Sequence, residues 1–131
     1  MNNSFSPFTF DGRLGRGRYL GYSVLLIVIA TVVMYAGVFA VAFLGDSYLS
    51  ERNAEAFGIV YFLVIGLLGI SYDVRRLHDL GHSGKWAIAL LVPWGLVIPW
   101  DWLIWVLGGI ILLYLIFAPG TDGRNDYGEG R

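Results

Sequence analysis

The residues best equipped for chemistry lie in one stretch, Arg75-Arg76-Leu77-His78-Asp79-Leu80-Gly81-His82-Ser83-Gly84-Lys85. His78 and His82 have the His-x-x-x-His spacing that, on a continuous helix, sets two imidazoles on one face for a metal. Gly81 and Gly84 disfavour such a helix, and the chain has no third histidine and no cysteine to complete a ligand set. Neither a metal nor a cofactor is expected. Ser83, with the two histidines and Asp79 nearby, supplies the residue types of a nucleophile, a base and an orienting group. Serine before glycine is also ordinary capping chemistry for a following helix, and the apolar segments of the chain are nearly bare of ionisable groups. The expectation is a protein that is not an enzyme. Here His78 and Asp79 fix a loop by hydrogen bonds, and Asp73 pairs with Arg76 one helical turn on.

Basic residues form the second group: Arg13, Arg16, Arg18, Arg75, Arg76, Lys85 and Arg124. Arginine can grip a phosphate with two parallel hydrogen bonds, and basic residues beside a bilayer attract anionic headgroups. The tendency of Lys and Arg to stay on the cytoplasmic side would by itself place many of them together. Glycine, Asn and Asp accompany these arginines, and Gly12, Gly81, Gly84, Gly120, Gly123 and Gly128 read as tight turns. Asn125 and Tyr127 can add hydrogen bonds. Arg13, Arg16, Arg75, Arg76, His78, Asp79 and Asn125 are therefore the candidate site for an anion, a lipid headgroup or a partner protein. The same residues could equally form a folding device that zips the ends of a helical bundle.

The elements that position these residues follow from composition. Of 131 residues, 56% are hydrophobic and 15% charged, with a net charge of −1. Soluble domains carry about 25% charged residues, and a small soluble domain could not bury so much apolar surface. One membrane domain, residues 1–131, is expected. A first span over 19–44 is about 26 residues, longer than the roughly 7–15 of a signal-peptide core. A second span covers 56–72. From Trp86 to Ala118 the only charge is Asp101. One helix of that length would reach about 50 Å, too long for a hydrocarbon core of about 30 Å. Pro93, Gly95, Pro99 and Asp101 interrupt it, so spans three and four, 86–98 and 102–117, form a short hairpin. Each is brief enough that a re-entrant loop is the alternative. Trp94, Trp100, Trp102 and Trp105 flank the turn, as interfacial aromatics do.

Orientation follows the Lys and Arg count. With head, second loop and tail on one side, eight of the nine fall there and one falls opposite. A three-span arrangement gives six against three. The fold expected is thus an all-α membrane protein, a four-span helical bundle with both termini cytoplasmic.

Three segments carry a resemblance: Phe10-Asp11-Gly12-Arg13-Leu14-Gly15-Arg16 with Tyr19, then Arg75 to Trp86, then Pro119-Gly120-Thr121-Asp122-Gly123-Arg124-Asn125-Asp126-Tyr127-Gly128. In order and spacing, over nearly the whole chain, they resemble domain-of-unknown-function family 805, the YhaH-like bacterial inner-membrane proteins. Lys85 departs from the pattern, standing where an apolar residue is expected before Trp86. The resemblance implies a bacterial inner membrane and a compact helical bundle, and it implies no activity. The functional expectation is a role in envelope maintenance, through contact with membrane lipids or a membrane-protein partner, a second copy included. The alternative is a subunit of a small-molecule transport or permeation assembly. No nucleic-acid partner is expected.

Overall fold

In the computed structural model of the chain, which describes residues 9–44, 51–87 and 101–128, three helices account for most of the structure. They are α1 (Arg16–Leu44), α2 (Glu51–Asp79) and α3 (Asp101–Phe117). The stretches Arg16–Ala40 and Ala54–Asp79 are long and apolar enough to cross a membrane, and Val106–Phe117 is a shorter apolar helix. At 1.5 Å per residue, α1 and α2 each reach about 44 Å and α3 about 25 Å. Of the third expected span, only Trp86 and Ala87 are described, and both are helical. The rest of that span and the hairpin turn lie outside the described residues, except that Asp101 opens α3 instead of sitting in the turn.

α1 and α2 run antiparallel, because their contacts retreat in step along the two sequences. The Tyr19 hydroxyl donates to Asp73 Oδ1 at 2.8 Å near one end. Midway, the Tyr61 hydroxyl donates to the Ala30 carbonyl at 3.0 Å. Near the other end, Gly37 faces the Phe57 ring, which a Cβ at 2.5 Å would force to shift. α3 brings its C-terminal end to the C-terminal end of α2 and the N-terminal end of α1, where Leu115 and Ala118 meet Arg76.

Apolar residues are distributed unevenly in depth. Ile27, Val28, Val32, Tyr35, Ile59, Phe62, Leu63, Ile110 and Leu113 are exposed along the three helices. A helix apolar all round belongs inside a large core or in lipid. The buried cluster instead sits at one end: Leu14, Tyr19, Tyr72, Val74, Leu77, Leu80, Ala87 and Leu115. It lies where the head, the end of α2 and the tail converge.

Candidate functional site

The site begins at the end of α2. The expected loop from Arg75 is not there; the helix continues through Arg75, Arg76 and His78 to Asp79. Its end is set by Gly81, whose φ of 77° places it in the left-handed region open to glycine. The Gly81 amide donates to the His78 carbonyl at 3.1 Å and the His82 amide to the Leu77 carbonyl at 2.8 Å. That pair is the Schellman arrangement, which satisfies carbonyls that a helix end otherwise leaves unpaired.

The tail completes the capping. The Thr121 amide and hydroxyl donate to the Asp79 carbonyl at 2.8 and 3.0 Å. Asn125 Nδ2 donates to the His78 carbonyl at 2.8 Å and to the Thr121 hydroxyl at 2.9 Å. Asn125 Oδ1 accepts from the Tyr127 amide at 3.0 Å, and the backbones of Asn125 and Gly128 exchange two hydrogen bonds across a tight turn. The head joins the same end, with the Leu14 amide donating to the Arg75 carbonyl at 2.9 Å. Gly120 is needed for contact and not for φ: a Cβ there would collide with the Asp79 carboxylate.

Around this backbone frame, one carboxylate holds two guanidinium groups. Asp79 Oδ1 accepts from Arg13 Nε at 3.2 Å, and Asp79 Oδ2 accepts from Arg76 Nη1. Arg76 is 0% exposed. Its Nε donates to the Leu115 carbonyl at 2.7 Å and its Nη2 to the Ala118 carbonyl at 2.5 Å, so its charge caps the end of α3. Arg13 reaches into the tail. Its Nη1 donates to the Gly123 carbonyl at 2.6 Å, and its Nη2 to both the carbonyl and the hydroxyl of Thr121. Two guanidinium charges and one carboxylate leave a single positive charge. The C-terminal ends of α2 and α3 each carry about −0.5 of a charge, which offsets it. Every nitrogen of Arg13 and Arg76 is engaged with protein, so neither guanidinium has a face left to grip a phosphate.

One expected contact is corrected. Asp73 does not pair with Arg76; it accepts from Tyr19, while Arg76 turns to Asp79. His78 and His82 do not share a helix face, in keeping with the glycines that disfavour a continuous helix there: α2 ends between them. His78 stacks on the Tyr127 ring at 3.9 Å with 4° between planes, and its Nδ1 lies 3.3 Å from the Gly12 carbonyl. His82 Nε2 lies 3.1 Å from the Tyr114 hydroxyl. Among the described residues no three His, Asp or Glu side chains gather closely enough to hold a metal ion.

Of the seven candidate residues, Arg13, Arg76, His78, Asp79 and Asn125 meet in one network. Arg75 is buried beside them, with Nε donating to the Ser71 carbonyl at 3.2 Å and its guanidinium 5.5 Å from the centre of the Tyr72 ring. Arg16 stands outside, exposed on the first turn of α1. Thr121, Tyr19 and Gly120 were not among the candidates. Thr121 works through its amide, carbonyl and hydroxyl, with partners on the head, α2 and tail that no sequence spacing marks. Gly120, between Pro119 and Thr121, is legible in the sequence as a turn residue, but its close approach to Asp79 is not.

A known family runs through all of these positions. The one described as "Protein of unknown function (DUF805)" matches residues 7–129, which hold every residue of the network. The chain belongs to the DUF805 family. Three Escherichia coli (strain K12) proteins are similar to it. The uncharacterized protein YiiR is 28% identical over 93% of this chain and 85% of its own. Inner membrane protein YhaI is 27% identical over 92% of this chain and 83% of its own. Inner membrane protein YhaH is 28% identical over 91% of this chain and 84% of its own. No solved structure matches this DUF805 chain.

Proposed function

We propose that the chain is a four-span protein of the bacterial inner membrane with both ends in the cytoplasm. Its cap serves envelope maintenance without catalysis, through contact with membrane lipids or a membrane-protein partner. One observation carries the reading: Asp79 ties Arg13 of the head to Arg76 of α2, and both arginines hold the tail. Head, end of α2 and tail are thus at one end of the bundle, which supports an even number of crossings between them. α3 reaches about 25 Å away from that end, so its start belongs at the far end. Two relatives named inner membrane proteins support the compartment, and eight of nine Lys and Arg residues fall on the cap side in this arrangement.

A non-enzymatic role fits the state of the reactive groups. His78 is covered on one ring face by Tyr127, and Ser83 Oγ accepts from the Lys85 amide at 3.4 Å, as a residue capping the next helix does. The test is complementation. In a strain deleted for this chain, the Arg75→Ala, Arg76→Ala double variant should insert in the membrane yet fail to restore the envelope phenotype. Full restoration would remove the cap from the function. Solute-specific flux from liposomes holding the purified protein would favour a transport assembly instead.

A further inference from the structure

Arg16, Arg18 and Lys85 differ from the arginines of the network. All three side chains are exposed. Arg16 and Arg18 open α1, and two residues apart on a helix they point to different sides. Lys85 lies on the loop leaving α2, held to the cap end because Gly84 packs on Val74 and His78 and Ala87 joins the buried cluster. These cations therefore spread around the bundle rim and do not converge on one pocket.

Their surroundings indicate depth. Trp86, next to Lys85, is 65% exposed, and Phe117, the last residue of α3, is 69% exposed. Exposed aromatic rings at the ends of apolar helices are the mark of the membrane–water boundary. Just inward of Arg18, Leu20, Val24, Leu25 and Ile27 begin the exposed apolar surface of α1. Beyond the helix ends the character changes. Asp11, Asp122 and Asp126 are exposed there with Arg124, so among the described residues the outward face of the cap has no basic surplus.

We propose that Arg16, Arg18 and Lys85, flanked by Trp86 and Phe117, form a rim that binds the headgroups of anionic glycerophospholipids. Long basic side chains lay their stems on the apolar belt while the charged ends reach phosphate level, and acyl chains cover the exposed apolar residues below. This deepens the lipid-contact reading of the proposed function by moving the contact from the sealed network to the rim.

The test is a native mass spectrometry titration of the purified full chain in neutral detergent, with phosphatidylglycerol and phosphatidylcholine as probes. The wild type should prefer phosphatidylglycerol. Each of Arg16→Gln, Arg18→Gln and Lys85→Gln should weaken phosphatidylglycerol binding about fivefold, which is about 1 kcal/mol per charge, and leave phosphatidylcholine binding unchanged. The triple variant should lose the preference, while Arg124→Gln, on the outward face, keeps it. Inorganic phosphate, which lacks acyl chains, should not compete. Equal binding of both lipids by the wild type, a preference that survives in the triple variant, an equal loss in Arg124→Gln, or full competition by inorganic phosphate would each overturn the rim. Because the titration is done in detergent, it reads the rim whichever side of the membrane the cap faces. Thiol labelling in cells at Ser83 judges the cytoplasmic placement separately.

Discussion

Asp79→Ala removes one carboxylate and leaves two guanidinium groups without their counter-charge. The Arg13 side chain is 7% exposed, that of Arg76 0%, and that of Asp79 13%. Removing one partner from a buried ion pair costs about 3–5 kcal/mol. Arg76 keeps the carbonyls of Leu115 and Ala118, and water can reach part of the space Asp79 vacates. Both facts favour the lower end, about 3 kcal/mol. Asp126→Ala, at an exposed position, should change stability by less than about 0.5 kcal/mol. The assay is unfolding by SDS in mixed micelles, followed by circular dichroism. Arg13→Ala combined with Asp79→Ala should cost clearly less than the two separate losses together, because each removes the same contact. Amide hydrogen exchange should also show Thr121 and Asn125 losing protection, since their segment is tied to Arg13 and Asp79. An Asp79→Ala protein as stable as Asp126→Ala, with a protected tail, would refute the reasoning.

Gly120→Ala drives a methyl group into the Asp79 carboxylate; a loss of about 1–3 kcal/mol is expected in the same assay. Gly81→Ala forces a side chain into a φ of 77° and brings its Cβ to 3.3 Å from Thr121 Cγ2. It should cost about 1–2 kcal/mol and raise hydrogen exchange at His82, whose amide closes the helix end. Tyr19→Phe deletes the hydroxyl that donates to Asp73. A destabilisation of about 1–3 kcal/mol is expected, because the carboxylate loses the Tyr19 hydroxyl as a donor in a half-buried position, with tail protection unchanged.

The segments that meet in the cap were legible because arginine, asparagine and glycine in short runs have few uses at the edge of an apolar bundle. The end of α2 was not. Arg75, Arg76, His78 and Asp79 look like residues leaving the membrane, so a loop was expected from Arg75. In the fold Arg76 and Asp79 neutralise each other one turn apart and face inward, so the helix carries on. Gly81 was the informative residue, since glycine after a helical run marks its left-handed close. Reading it as a helix-disfavouring, tight-turn residue is right in kind but does not by itself place the helix end two residues before it. Asp73 shows the limit of spacing rules. Arg76 has a carboxylate three residues away on either side, and spacing does not say which one the tertiary structure uses. Tyr19, distant in sequence, takes Asp73 and leaves Arg76 to Asp79. Thr121 acts through backbone and hydroxyl bonds to distant segments and Gly120 through an absent methyl group, and neither action has a residue pattern. The apolar lengths of α1 and α3 follow the hydropathy of the sequence directly, because lipid-facing helices need no alternation of polar and apolar faces.

The proposed topology puts head, loop and tail together at one end of the bundle, in the cytoplasm. Single-cysteine labelling measures this directly, since the chain has no cysteine of its own. One cysteine is placed in turn at Ser4, Ser47, Ser83, Asp101 and Thr121 and exposed to a membrane-impermeant thiol reagent in intact cells and after lysis. Labelling from outside at positions 47 and 101 only, with 4, 83 and 121 reacting only after lysis, is the predicted result. Labelling of position 121 from outside, while 83 stays protected, would contradict it.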